Sequence, residues 1–339
     1  MPTYYDCIMV SGGSIKTLMI LGALQYGLDS ELLESCSKLC GTSAGAIILY
    51  LYSIGYSPLE MITYACTHPE CLEFDILNLA SITHGKGAMR FTRLNSWLET
   101  MTIQKLGYLP TLLELYEQTG YDLIVTTYNY TQKESVFLRA STHPTLPCLI
   151  ALRMSCAIPL LFDAVQYMGQ YYIDHGIIDS FPVHHVMKTL ELDPGSHIFG
   201  VVITPTDTYT APPENVLTYL HSLLAIPAID RVRHNVIAVE SDGHVIDLVC
   251  LQTDVGYLEI GLSTVDRLNL FSDGYSQSHA YFTNMNIGLT LLEIPKDENE
   301  EGLNQDEDIV ENEDQDIVEN EEQDIVENEE QDIEKDEII

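Results

Sequence analysis

Apolar positions in the first third of the chain come in two forms, short continuous runs and longer stretches that repeat every three to four residues. Residues 5–10, YDCIMV, are such a run, ending at Ser-Gly-Gly ahead of IKTLMILGALQYGL, whose apolar residues fall at helical spacing. The pattern predicts strand, tight turn and helix. KLC, GTSAG and AIILYLYSIG repeat that order at residues 38–55. Two such units in the first 55 residues predict an α/β fold with parallel strands whose carboxyl ends gather the functional turns. Residues 58–120 read as mostly helical, with Ser57-Pro58 as a start signal and Gly120 as a stop. The period then shortens to that of strands in DLIVTTYNY and ESVFLRA, a pair joined by a polar turn around Gln132 and Lys133. A helix is expected from about Pro147 to Ala157, then a strand-rich AVQYMGQYYID, a helix in FPVHHVMKTLEL and a strand in HIFGVVIT. Residues 213–290 predict a helix, the strand HVIDLVCLQ and a last helix near 264–284.

The pattern breaks at about Pro295. Beyond it, Ile309, Ile317, Ile325 and Ile333 recur every eight residues inside QDIVENEE units. One Ile-Val pair per unit cannot bury a core against so many carboxylates, so residues 296–339 are expected to form a disordered acidic tail behind a folded domain of residues 1–295. Of the 51 acidic and 15 basic residues, 22 and two lie from Lys296 onward. The net charge of −36 thus divides into −20 on the tail and −16 on the rest. That balance disfavours nucleic-acid binding, which needs basic side chains to displace counterions from phosphate. It equally disfavours adsorption to anionic membranes through charge alone. The start, MPTYYDCIMVSGGS, lacks the grammar of a signal peptide, and no run reaches about 18 uncharged apolar residues, so the expectation is a cytoplasmic protein. Eight scattered cysteines without a CxxC pair read as reduced thiols rather than as a disulfide or zinc framework.

Candidate chemistry gathers at the turns. GTSAG fits GxSxG, the grammar of a nucleophile elbow: Ser43 would be held out at the sheet edge, with glycines making room and the next helix pointing its N-terminus at developing negative charge. The same letters also suit a plain small-residue turn. SGGSIK, residues 11–16, offers backbone N–H groups ahead of a helix, as an oxyanion hole requires; it matches neither a P-loop nor a dinucleotide fingerprint. For a base, a conventional hydrolase triad would use a late histidine, His244 or His279. The alternative is Asp174, at the end of an apolar strand in YYIDHGIIDSFP, where burial would raise its pKa. Asp179 is expected to cap the helix entered at Pro182, and His184 and His185 to be helix-surface or core residues.

SGGSIKTLMILGAL, GTSAG, RMSCAIPLLF and YYIDHGIIDSFP, in this order over residues 5–205, resemble the patatin-like phospholipase family. The resemblance implies a three-layer α/β/α fold with a mostly parallel central sheet. It also implies a Ser-Asp dyad that needs neither histidine, metal nor other cofactor. The implied activity is lipid acyl hydrolysis of a phospholipase A, lysophospholipase or neutral lipid esterase type, with transient contact to a membrane surface. Carried over by position, Ser43 is the nucleophile and Asp174 the base, with the amides of Gly12, Gly13 and Ser14 as the oxyanion hole and Lys16 at the family's basic position. Three residues depart from the pattern: Ser14 and Thr17 stand where the family has glycine, and His175 replaces the glycine after the aspartate. A positive φ required at position 14 or 17 would strain Ser14 or Thr17, and the His175 imidazole stands next to the base, where it could tune it or crowd a substrate. They motivate the alternative of a catalytically degenerate member that binds lipid or a partner. For the tail, a protein-binding segment is weighed against a solubilising one.

Overall fold

The computed structural model describes residues 5–72, 84, 86–189, 196–204, 216–241, 246–256 and 261–292. The predicted tail and His244 lie outside the described residues. The first apolar run is β1 (Cys7–Val10), followed by a 3-10 turn (Ser14–Thr17) and α1 (Leu18–Asp29); the second unit is β2 (Lys38–Thr42) and α2 (Ala44–Ser53). Ser57 and Pro58 open α3 (Pro58–Thr67) with a capping box: the Glu60 N–H donates to Ser57 Oγ at 3.2 Å and the Ser57 N–H to Glu60 Oε2 at 2.7 Å. After α4 (Thr92–Leu106), α5 (Leu112–Thr119) ends at Gly120, whose φ of 77° is left-handed, as the stop signal requires.

The period-two segment gives β3 (Asp122–Asn129) and β4 (Glu134–Leu138), an antiparallel pair. Then come α6 (Cys148–Ser155), β5 (Val165–Tyr167), β6 (Gln170–Asp174), α7 (Val183–Thr189), β7 (Ile198–Ile203), α8 (Val216–Ser241), β8 (Ile246–Leu251) and α9 (Thr264–Leu292). AVQYMGQYYID, one strand-rich stretch by sequence, is a hairpin turning at Met168-Gly169, both with positive φ.

The strands form one sheet, hydrogen-bonded along the path β5-β6-β3-β2-β1-β7-β8, with β4 also on β3. Pairs among β3, β2, β1, β7 and β8 are all parallel, while β3–β4, β3–β6 and β5–β6 are antiparallel. Alternate strand residues feed two cores, as a sheet covered on both faces demands. Ile8, Val10, Leu39 and Val201 face a cluster filled from α1 to α6 and α9. Cys7, Met9, Cys40 and Val202 face a smaller one closed by Val183 and Val186 of α7 and Val232 of α8. The result is a mixed, mostly parallel sheet between two helical layers.

One register positions the site. β3 pairs with β2 through Asp122–Thr126 and with β6 through Thr127–Asn129, while β4 pairs along Val125–Asn129. Since β4 overlaps both, β2 and β6 must share the opposite edge of β3. They meet head to head there, β2 ending at Thr42 opposite Thr126 and β6 ending at Asp174 opposite Thr127.

Candidate active site

Ser43 follows Thr42 at this junction with φ 54° and ψ −128°, a strained conformation for a residue with a Cβ, and α2 starts at the next residue. The turn is possible because both flanking glycines lack a side chain. A Cβ on Gly41 would lie 2.6 Å from the Ala46 backbone, and one on Gly45 2.4 Å from the Ser11 carbonyl oxygen. Two hydrogen bonds hold the flanks: Thr126 Oγ1 donates to Thr42 Oγ1 at 2.8 Å, and the Ser43 N–H donates to Ser155 Oγ at 2.8 Å.

Asp174 arrives from the other side, only 2 % exposed, its N–H donating to the Ala157 carbonyl at 3.0 Å. Its Oδ1 accepts the Gly176 N–H at 2.6 Å. Oδ2 is buried and carries no hydrogen bond of good geometry in this arrangement. Burial pushes the carboxyl up to about 7; the nearby Ser43 hydroxyl and the Gly176 amide pull against that rise. Close to neutral pH the group can therefore exist in either form, as proton exchange with a hydroxyl requires.

Ser11, Gly12 and Gly13 run alongside. The Ser11 hydroxyl accepts the Ile203 N–H at 2.9 Å and donates to the Gly12 carbonyl at 2.9 Å, tying the loop to β7. Gly12 packs on the nucleophile candidate so closely that a Cβ there would be 3.2 Å from Ser43 Cβ. Its N–H points to the Ser180 carbonyl at 3.3 Å, and the amides of Gly13 and Ser14 follow at the turn into the 3-10 helix. Lys16 lies in that helix, half-buried, and burial lowers its pKa.

The three departures from the family pattern differ in consequence. Ser14 has φ 54°, so a non-glycine residue does sit in the left-handed region. Thr17 has an ordinary φ of −63° and uses its hydroxyl to hold the Ser14 carbonyl at 2.6 Å, a bond glycine could not make. His175 is free of positive φ, and its ring nitrogens bond partners other than Ser43 and Asp174. Its Nδ1–H donates to the Asp179 carbonyl at 2.6 Å, so Nε2 accepts the Ser135 hydroxyl at 2.9 Å; burial lowers its pKa and keeps it neutral. Through Ser135 it braces β4. Gly176 carries the close approach instead, because a Cβ there would lie 2.9 Å from Asp174 Oδ1.

Other expectations fare unevenly. Asp179 does not cap α7: its carboxylate closes a turn by accepting the Phe181 N–H at 3.0 Å and takes the Asn235 side-chain amide at 3.0 Å on both oxygens. His279 packs edge-on to Tyr26 toward the far end of α1 rather than meeting Ser43. His185 stacks on Phe137.

The residues that sequence reasoning gave no role are Ser155, Cys156 and Ala157. Consecutive in the chain, they grip both halves of the site: Ser155 Oγ holds the Ser43 amide, the Ala157 carbonyl holds the Asp174 amide, and the Cys156 thiol lies between them. Burial first, and then the Asp174 charge, raise the Cys156 pKa, so it remains a thiol. A serine closing a mostly apolar helix, followed by Cys156, Ala157 and Pro159, was the available signal.

Comparison with known proteins bears on this arrangement. The model of the patatin-like phospholipase family matches residues 8–187. The chain is 34 % identical over 192 residues to a protein of Invertebrate iridescent virus 6 named "Probable lipid hydrolase 463L", covering 55 % of this chain and 65 % of that protein, just under two thirds of its length. Its fold is similar to that of VipD from Legionella pneumophila, with a TM-score of 0.53 at 13 % identity over 83 % of this chain and 67 % of that one. ExoU in its heterodimeric complex with SpcU from Pseudomonas aeruginosa gives a TM-score of 0.46 at 14 % identity, over 84 % of this chain and 52 % of that one.

Proposed function

The chain belongs to the patatin-like phospholipase family, and from that premise we propose that it is a lipid acyl hydrolase working through a Ser43–Asp174 dyad and an acyl-enzyme intermediate. The observation that carries the reading is the meeting of a strained Ser43 with a buried Asp174 whose proton affinity lies near neutrality.

In the proposed reaction Ser43 Oγ attacks the ester carbonyl carbon as its proton passes to Asp174 Oδ2. An aspartate is a much weaker base than the alkoxide it helps to form, so the charge has to be met where it develops, on the carbonyl oxygen. The amides of Gly13 and Ser14, together with that of Gly12 released from its long bond to Ser180, are the donors for it. The N-terminus of α2 adds a favourable field. Collapse of the tetrahedral species expels the alcohol, which takes the proton from Asp174. Water then attacks acyl-Ser43 with Asp174 accepting its proton; collapse breaks the acyl–Oγ bond as Asp174 returns the proton to Ser43 Oγ, and the product leaves as the carboxylic acid, which ionises in water.

The test is labelling with a fluorophosphonate and location of the adduct by peptide mass spectrometry. The expected result is modification at Ser43 that falls by two or more orders of magnitude in Asp174→Asn, roughly the scale of a lost general base. Unaltered ester hydrolysis by Ser43→Ala would refute the reading. The engaged Gly12 amide and left-handed Ser14 favour a second reading, a family member that binds lipid without turnover; folded protein that takes no label at Ser43 is its outcome.

A further inference from the structure

We propose that the amino-terminal half of α8 is the element by which this protein seats on an uncharged lipid surface, an inference that rests on the lipid-hydrolase reading and adds where the lipid phase is met. Residues 216–226, VLTYLHSLLAI, contain no Asp, Glu, Lys or Arg. Tyr219, Leu220, Leu223, Leu224 and Ile226 are all exposed, Tyr219 by 51 % and Ile226 by 59 %. At 100° per residue they cover an arc of about 160° of the helix. An apolar arc of that width open to water is costly unless something covers it, at roughly 25 cal/mol per Å².

Its place in the fold favours a lipid phase. α8 connects β7 to the parallel β8, so it must carry the chain from the carboxyl edge of the sheet back to the amino edge. Its later half is anchored: Val232 packs in the core with Met9, Phe181 and Leu248, and Asn235 donates to Asp179 and to the Phe181 carbonyl. Phe181 touches Gly200, halfway along β7. At 1.5 Å per residue, Ile226 lies about 9 Å and Tyr219 about 20 Å beyond Val232 along the helix. Half of a six-residue strand accounts for only about 10 Å of that. The apolar half therefore projects past the sheet edge at which β7 ends beside the Ser11–Gly13 loop, the edge that carries Ser43.

A segment that projects about 10 Å past this edge reaches the depth of about 5–10 Å at which ester groups sit between headgroup and acyl chain. The missing charges define the surface further. With no cationic residue in this half and a net charge of −36 on the chain, insertion is driven by apolar area and suits zwitterionic or neutral headgroups.

The experiment is flotation of the full chain with pure phosphatidylcholine vesicles, at about 50 and 500 mM salt. Wild type is expected to float equally at both. Leu223→Glu/Leu224→Glu, checked for native circular dichroism, is expected to lose at least about tenfold in partition, some 1.4 kcal/mol. Leu113→Glu/Tyr116→Glu, on exposed apolar positions of α5 at the opposite edge, should float as wild type does. Failure of wild type to float, or flotation of the α8 variant equal to wild type, would overturn the proposal. So would a wild-type dimer by light scattering that the α8 variant converts to monomer, since the face would then be covered by a second copy. Binding requires no turnover. Protein that floats without hydrolysing ester retires only the hydrolase reading, and protein that hydrolyses dispersed ester without floating retires only this one.

Discussion

Burial holds the Asp174 carboxyl near 7 rather than near 4, and the same cause that would equip it as a base opposes folding. In the unfolded chain it loses its proton at about 3.9. Between about pH 4 and 7 the unfolded state therefore binds fewer protons than the native state, and this group's contribution to stability falls as pH rises through that window and is flat above it. About three pH units correspond to a cost of up to about 4 kcal/mol at pH 8. Asp174→Asn keeps the acceptor for the Gly176 amide without the buried charge. It is expected to melt above wild type at pH 8, with the advantage shrinking toward pH 4; thermal unfolding at the two pH values checks this. Lower stability of the variant at pH 8 would mean that the carboxylate is better solvated than its 2 % exposure implies. Around it, Ser155, Ala157 and Gly176 each satisfy a backbone or carboxylate group of Ser43 or Asp174 with a single hydrogen bond. The site's geometry is thus set by residues that would not touch a substrate.

Among the elements, α1 and α9 approach most closely. A Cβ on Gly22 would lie 1.9 Å from the Phe271 carbonyl oxygen, and one on Gly274 1.9 Å from that of Met19. Backbone meets backbone there, so no side-chain rotation could relieve an added methyl. Gly22→Ala and Gly274→Ala are each expected to destabilise by about 1–3 kcal/mol, the range of core overpacking, although alanine is the better helix former. A fall in melting temperature of several degrees is the readout, and unchanged melting would show that the helices can part freely. The consequence reaches the site, because α1 continues directly from the loop that carries Gly12, Gly13 and Ser14. Anchoring the helix from behind keeps that loop against Ser43.

Across the whole molecule, charge and apolar surface are separated along the chain. No single described helix is long and apolar enough to cross a membrane; α2 and α3 reach that length only together, bent by 119°, and they fill the core with residues such as Leu49, Tyr50 and Ile62. Every group assigned to the dyad and its supports lies between Ser11 and Asn235, well before the acidic repeats. Deleting residues 296–339 is therefore expected to leave kcat/KM on a dispersed ester as it is in the full chain, since every group of the proposed reaction precedes them in the sequence. A large loss in folded, truncated protein would give the tail a part in the reaction.

By itself the sequence determined the alternation of elements, because buried strands and amphipathic helices impose different apolar periods, and it marked the turns, because GTSAG and SGGSIK need small residues where backbone must bend sharply or approach closely. It also offered Ser43 as a candidate nucleophile, and Asp174 or a late histidine as a candidate base. What it could not express was adjacency between residues far apart in the chain. That β2 and β6 end on the same edge of β3 follows from a register fixed by pairing across the sheet, and only this brings positions 43 and 174 together. The grip of Ser155, Cys156 and Ala157 and the hydrogen bonds of the His175 ring depend on which partners folding delivers to one place. The positive φ at Ser14 and the ordinary one at Thr17 likewise belong to the closed loop, because a residue's own letter does not specify the dihedral that its surroundings impose.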